Sequence, residues 1–175
     1  MLRRPPRSTR KESSAASDVY QRQDAEVAFS DVRLSVLLDE ITDRFKPMAA
    51  SQQVFLHVDC QPLCVHANLQ QMKELFGNLI GNAVKYNRPG GQVWISVRQQ
   101  DQGVSLRVRD NGVGIPKESL DRIFERFYRV DKSRSKSTGG TGLGLAIVKH
   151  IVAQHDAQMT LTSEVGVGTE IKIVF

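Results

Sequence analysis

Cysteine is almost missing. Two of the 175 residues are Cys, Cys60 and Cys64, and both lie in "CQPLC". A disulfide-stapled scaffold needs more of them. A structural zinc site needs four ligands, and no second Cys/His pair stands at suitable spacing; His57 and His66 fall in strand-like runs. The two thiols read as reduced and partly buried. Aromatics are scarce too, at 6%, with a single Trp. No apolar run approaches the ~18 residues of a membrane span. The start, "MLRRPPRSTRKES", is basic with no apolar core behind it, so a secretory leader is not expected. What is present is ordinary: 40% hydrophobic and 25% charged residues, in a length that suits one soluble, cytosolic domain with a real core.

The net charge of +5 is unevenly spread. Residues 1–23 hold six Lys/Arg against two Asp/Glu, so most of the excess sits there. This tail mixes Pro, Ser and Arg without apolar periodicity and reads as disordered. It also resembles translated sequencing adapter, and is treated as a non-native tail. A nucleic-acid partner would rest on these residues alone, so none is expected. Residues 24–175 form the expected domain.

"LSVLLDEITDRFKPMAA" carries Leu34, Leu37, Leu38, Ile41 and Phe45 at helical spacing, with Ser35 as a cap. "VFLHVD" and "LCVHA" are short strands. Asn68 caps a helix running to about Tyr86, with a stripe of Met72, Leu75, Phe76, Leu79, Ile80 and Ala83. "QVWISVRQQ" and "GVSLRVRD" alternate and form a hairpin; Val93, Ile95, Val97, Val104, Leu106 and Val108 share one face. "QMTLTSEV" and "TEIKIVF" form a second hairpin around "GVG". A further helix is expected over 117–124. The fold class is α+β: a two-layer α/β sandwich, with a mixed, mainly antiparallel sheet covered by three helices on one face.

Three segments carry chemistry. In "QQMKELFGNLIGNAVKYN", Glu74, Asn78, Asn82 and Lys85 share a helix face. Asparagine is a poor helix former. Its carbonyl oxygen suits a hard cation such as Mg²⁺, which takes oxygen ligands and bridges to phosphates, while Lys85 suits an anion. Alternatively, Gly77 and Gly81 only let a surface helix pack closely on the sheet. In "RVRDNGVGIP", Asp110 ends a strand, and Gly112 and Gly114 let backbone approach a ligand. In "STGGTGLGLAIVKHIV", the glycines precede a helix start, whose free N–H groups attract anions. The lysine of a P-loop is missing here, as is the third glycine of a dinucleotide fingerprint.

Taken together, "NLIGNAVKYN", "DNGVGIP", "IFERFYRVD" and "GGTGLGLAIVKHIV" resemble the N, G1, F and G2 boxes of bacterial two-component sensor histidine kinases. The resemblance covers residues 29–175 and implies a Bergerat-type ATP-binding sandwich using ATP and Mg²⁺. It implies Asn82 as the metal ligand, with Asn78 one turn before it. Lys85, Arg126 and Arg129 would serve the phosphates. Tyr86, Asp110, Gly112, Gly114, Ile115 and Thr169 would surround the adenine. Residues 125–140 would form a mobile lid, anchored by Phe124 and Phe127. Gly140, Thr141, Gly142, Leu143 and Gly144 would cradle phosphate at its second end.

One piece of that family's machinery is missing. The four histidines, His57, His66, His150 and His155, lack the H-E-[LI]-[RK]-T-P context of a phosphoacceptor. The resemblance therefore implies a kinase fragment whose acceptor lies on an upstream dimerisation domain. The full-length protein would be a homodimer signalling to a response regulator receiver domain. It would be membrane-anchored, with this part on the cytoplasmic side. A non-kinase ATPase with Glu74 as the base, or a nucleotide-sensing module, are the alternatives.

Overall fold

The computed structural model describes residues 28–130 and 141–175. The tail expected over 1–23, and most of the lid expected over 125–140, lie outside these. In chain order the elements are β1 (Ser30–Arg33), α1 (Leu34–Ser51), β2 (Phe55–Cys60), β3 (Cys64–Ala67), α2 (Leu69–Lys85), β4 (Gln92–Gln100), β5 (Gly103–Asp110), a 3₁₀ turn (Lys117–Ser119), α3 (Gly144–Gln154), β6 (Gln158–Glu164) and β7 (Gly168–Val174). Among the described residues no helix is long and apolar enough to cross a membrane.

The main sheet has the order β2-β4-β5-β7-β6. Only β2 and β4 run parallel; the other three pairings are antiparallel. Val93, Ile95 and Val97 of β4 and Val104, Leu106 and Val108 of β5 are all buried, as their alternation predicts. The stripe of α2 is buried along its length, with Met72, Leu75, Phe76 and Ile80 inaccessible. Each such side chain contributes about 1.5–3 kcal/mol on burial. The expected mixed, mainly antiparallel sandwich is what the chain forms.

Four details differ from the sequence reading. Helix α1 starts one residue before Ser35, and no side chain caps it. It leaves β1 directly, and the Leu34 N–H is already satisfied by the Leu63 carbonyl at 3.0 Å. Strand β3 does not join the main sheet. It pairs with β1, Ser30 opposite Ala67, in a separate two-stranded ribbon. The spacing predicts a helix over 117–124, but the structure has a 3₁₀ turn followed by irregular turns. Bonds from Leu120 N to Lys117 O and from Arg122 N to Ser119 O, three residues apart, keep it tight. A segment this short cannot offset helix nucleation by itself. Finally, Gly81 packs against α1 rather than the sheet: a Cβ there would lie 3.1 Å from Phe45 Cε1.

Candidate functional site

Helix α2 builds one wall of a cavity of about 520 Å³. Residues four apart share a helix face, so Asn78, Asn82 and Lys85 all line it. Glu74, on the same stripe, does not; it is exposed beyond the rim. Asn78 Nδ2 donates to the Glu74 carbonyl at 2.8 Å. Its oxygen is thereby turned toward α3, where a Cβ on Gly144 would meet Asn78 Oδ1 at 2.7 Å. A larger residue there would have to turn the Asn78 amide aside. No side chain caps α3. Its first N–H groups lack intrahelical partners, and Gly144 sits on the cavity wall.

Lys85 stands at the C-terminal end of α2, with Nζ 5.3 Å from the Tyr86 ring centroid. Burial, and secondarily the Arg129 guanidinium, hold its ammonium below the usual lysine range. Arg129 also lines the cavity. Two cations beside one partly desolvated space favour an anionic occupant.

The other end is built by two hairpins meeting. Asp110 closes β5 opposite Thr169 of β7. Burial pushes the Asp110 carboxyl above the usual aspartate range. Backbone N–H groups of Gly112 and Thr169 pull the other way, the former at 2.8 Å. Gly112 does not line the cavity. It packs the loop on the end of α2, where a Cβ would lie 2.4 Å from the Tyr86 carbonyl. Gly114 has φ +70°, and a Cβ on it would sit 2.0 Å from the Glu164 carbonyl. No other residue fits there. Tyr86, Gly114, Ile115 and Thr169 line the cavity.

Ser163 was not legible beforehand. Its hydroxyl accepts from Ile115 N at 2.9 Å, donates to Gly168 O at 2.9 Å, and lies 2.7 Å from Thr169 Oγ1. It ties the loop after Asp110 to the second hairpin. A serine in an alternating strand gives no local signal of such a role.

The described residues flanking 131–140 are joined to each other. Phe127 N donates to Gly142 O at 2.9 Å. The Phe127 ring is 71% exposed, so the link it makes there is through its backbone. Phe124 is half-buried, under Lys149 Nζ at 5.7 Å from the ring centroid. Arg126 is exposed and outside the cavity lining. Thr141 and Gly142 line the cavity; Leu143 instead is the residue just before α3, its carbonyl accepting from Ile147 N at 2.9 Å. Gly140 lies outside the described residues. Gly142 has φ +72°, and a Cβ would meet Phe127 C at 2.8 Å. Gly142→Ala should therefore strain this junction by about 1–2 kcal/mol. A several-fold rise in the Kd for ATP, with a melting point lowered by only a few degrees, is the expected calorimetric result.

Residues 67–175 match the family described as histidine kinase-, DNA gyrase B- and HSP90-like ATPases. The histidine-protein kinase ArlS of Staphylococcus haemolyticus is 38% identical over 84% of this chain and 32% of its own length. Sensor histidine kinase RppB of Synechocystis is 37% identical over 97% of the chain and 39% of its own length. Among solved structures, the mycobacterial sensor histidine kinase MprB matches with TM-score 0.73 and 29% identity, over 84% of this chain and 96% of that one. The chain belongs to the histidine kinase-, DNA gyrase B- and HSP90-like ATPase family. Within it, the chain is the ATP-binding catalytic domain of a sensor histidine kinase. It spans 32% and 39% of the length of those two curated relatives.

Proposed function

We propose that the whole protein transfers the γ-phosphoryl of Mg-ATP to a histidine on a dimerisation domain, and that a response regulator receiver domain then takes the phosphoryl group. One observation carries this reading. A single cavity holds a carboxylate at one end, Asp110, and amide oxygens, two cations and an uncapped helix start at the other. Asp110 would accept from the exocyclic amine of adenine. Tyr86 and Ile115 would offer apolar surface to the ring. Lys85, Arg129 and the N–H groups at Gly142–Gly144 would face the phosphates. ShkA, solved in complex with AMPPNP, matches 91% of the chain with 28% identity, which supports a nucleotide in this place.

The donor set suits Mg²⁺. Among the described residues no three His, Cys, Asp or Glu side chains cluster to hold a metal ion. Mg²⁺ does not need such a cage, since it keeps waters and is shared with substrate phosphates. Asn82 is the residue that would hold it, beside Asn78. The ion would neutralise charge developing on the phosphoryl oxygens. The chain's own groups orient the triphosphate and screen it from water.

A water-activating ATPase is the weaker reading, because Glu74 is exposed outside the cavity. No strong base then faces the γ-phosphate position from that helix. The homodimer, the cytoplasmic placement and a membrane anchor in the full-length protein belong to the same proposal. The 175-residue chain should bind ATP yet take up no label from γ-labelled ATP. Adding a histidine-bearing dimerisation domain should restore labelling. Self-labelling without it, or steady hydrolysis abolished by Glu74→Gln, would sink the kinase reading.

A further inference from the structure

Helices α2 and α3 together form the proposed phosphate end of the cavity; they pack along their length, with Gln71 Nε2 of α2 donating to Gln154 Oε1 of α3, and two meeting points frame them. At the cavity they meet through Gly144 and Asn78. At the far end they meet through His155, which follows the last turn of α3. His155 Nδ1 lies 2.8 Å from the Ile151 carbonyl, which can only accept. Its Nε2 lies 3.2 Å from the backbone N–H of Asn68, which can only donate. The two partners fix one tautomer: neutral imidazole, with the proton on Nδ1. Asn68 is itself the cap of α2, its side chain accepting from Gln71 N at 2.9 Å.

The spacing of the two meeting points matches. Asn68 to Asn78 is ten residues and Gly144 to His155 is eleven. At 1.5 Å per residue these are about 15 and 16 Å. The helices run antiparallel, pinned at both ends of the same length. At the near pin a Cβ on Gly144 would displace the Asn78 amide, so α3 packs there directly on a side chain of the site.

The far pin also holds the incoming chain. The Phe29 ring packs on the His155 ring at 4.8 Å between centroids, and on His66 at 5.9 Å. Asn68 Nδ2 donates to the Ala28 carbonyl at 3.3 Å. Phe175 at the end of the sheet meets His155 edge-on at 6.1 Å. Four parts of the chain thus converge on one imidazole.

We propose that His155 is a positioning residue for the nucleotide site: it sets the register of α2 against α3, and makes the Ala28–Phe29 segment part of that setting. The inference rests on nucleotide binding between these helices, not on the identity of the phosphoacceptor.

The test is calorimetric titration of the full chain with Mg-ATP. His155→Phe keeps a ring and loses both hydrogen bonds, and should raise Kd about three- to tenfold. His155→Gln can donate and accept, and should restore most of that affinity. Phe29→Ala should raise Kd in the same direction as His155→Phe. The proposal fails if His155→Phe lowers the melting point but leaves Kd unchanged, or if Gln does not rescue. A wild type that binds no ATP would instead overturn the nucleotide-site reading itself.

Discussion

Asp110→Asn should raise the Kd for ATP by roughly 10- to 150-fold, the equivalent of about 1.5–3 kcal/mol for a hydrogen bond to a charged group. The fold should be unharmed or slightly stabilised. Burial makes the charged carboxylate costly at this position, and a neutral amide of the same shape removes that cost. Its oxygen can still accept from Gly112 N. The same shift sets two opposite pH trends. The native carboxyl binds its proton at higher pH than the usual 3.8. Between that value and the raised one the folded state holds more protons than the unfolded, so this group's contribution to stability falls as pH rises. Affinity for ATP moves the other way, because the protonated carboxyl loses its acceptor strength toward the adenine amine. Melting points and titrations across mildly acidic pH should therefore diverge in the wild type and not in Asp110→Asn. A parallel response in both proteins would remove Asp110 from adenine recognition.

Asn82→Ala should cut phosphoryl transfer by on the order of 100-fold, since a group stabilising charge in the transition state is worth about that much. It should also abolish the gain in ATP affinity that Mg²⁺ confers. Stability should not fall, because alanine is the better helix former at an interior position. That combination separates a ligand role from a packing role. Titrations of the 175-residue chain with and without Mg²⁺ read the metal effect, and transfer is read with an added acceptor domain. An Asn82→Ala protein whose affinity still rises with Mg²⁺ would move the metal to another residue.

The helices and hairpins were legible because their burial repeats with a clear period. Met72 through Ala83 and the alternating valines of β4 and β5 needed only one buried face to be recognised. Strand β1 was not legible. In "SDVR" only Val32 is buried, so four residues carry no period. The partition of β3 away from the main sheet depends on that invisible partner. The 3₁₀ turn at Lys117–Ser119 has helix-like composition but is too short for composition to decide. Within the site, Asn78, Asn82, Asp110 and the glycines stood out because each contradicts its local setting: asparagines inside a helix, an Asp-Asn-Gly after a strand with no partner strand following it, glycines before a helix. Arg126 shares the phosphate-side composition of Arg129 yet faces outward, and only three dimensions separate them. Ser163 and His155 act by joining distant segments, and no neighbour in sequence announces that.

Asp110 and Thr169 are adjacent across the β5–β7 pairing but belong to different hairpins. Each hairpin can close on its own from local contacts within microseconds. Their docking is a long-range event and must wait for the intervening chain to be gathered in. The end of the cavity proposed for adenine therefore lies at the seam between two hairpins. Partly folded chains with both hairpins formed and the seam still open would lack the paired Asp110 and Thr169, so on that proposal nucleotide should act as a latch on the finished fold, slowing its opening rather than guiding its formation.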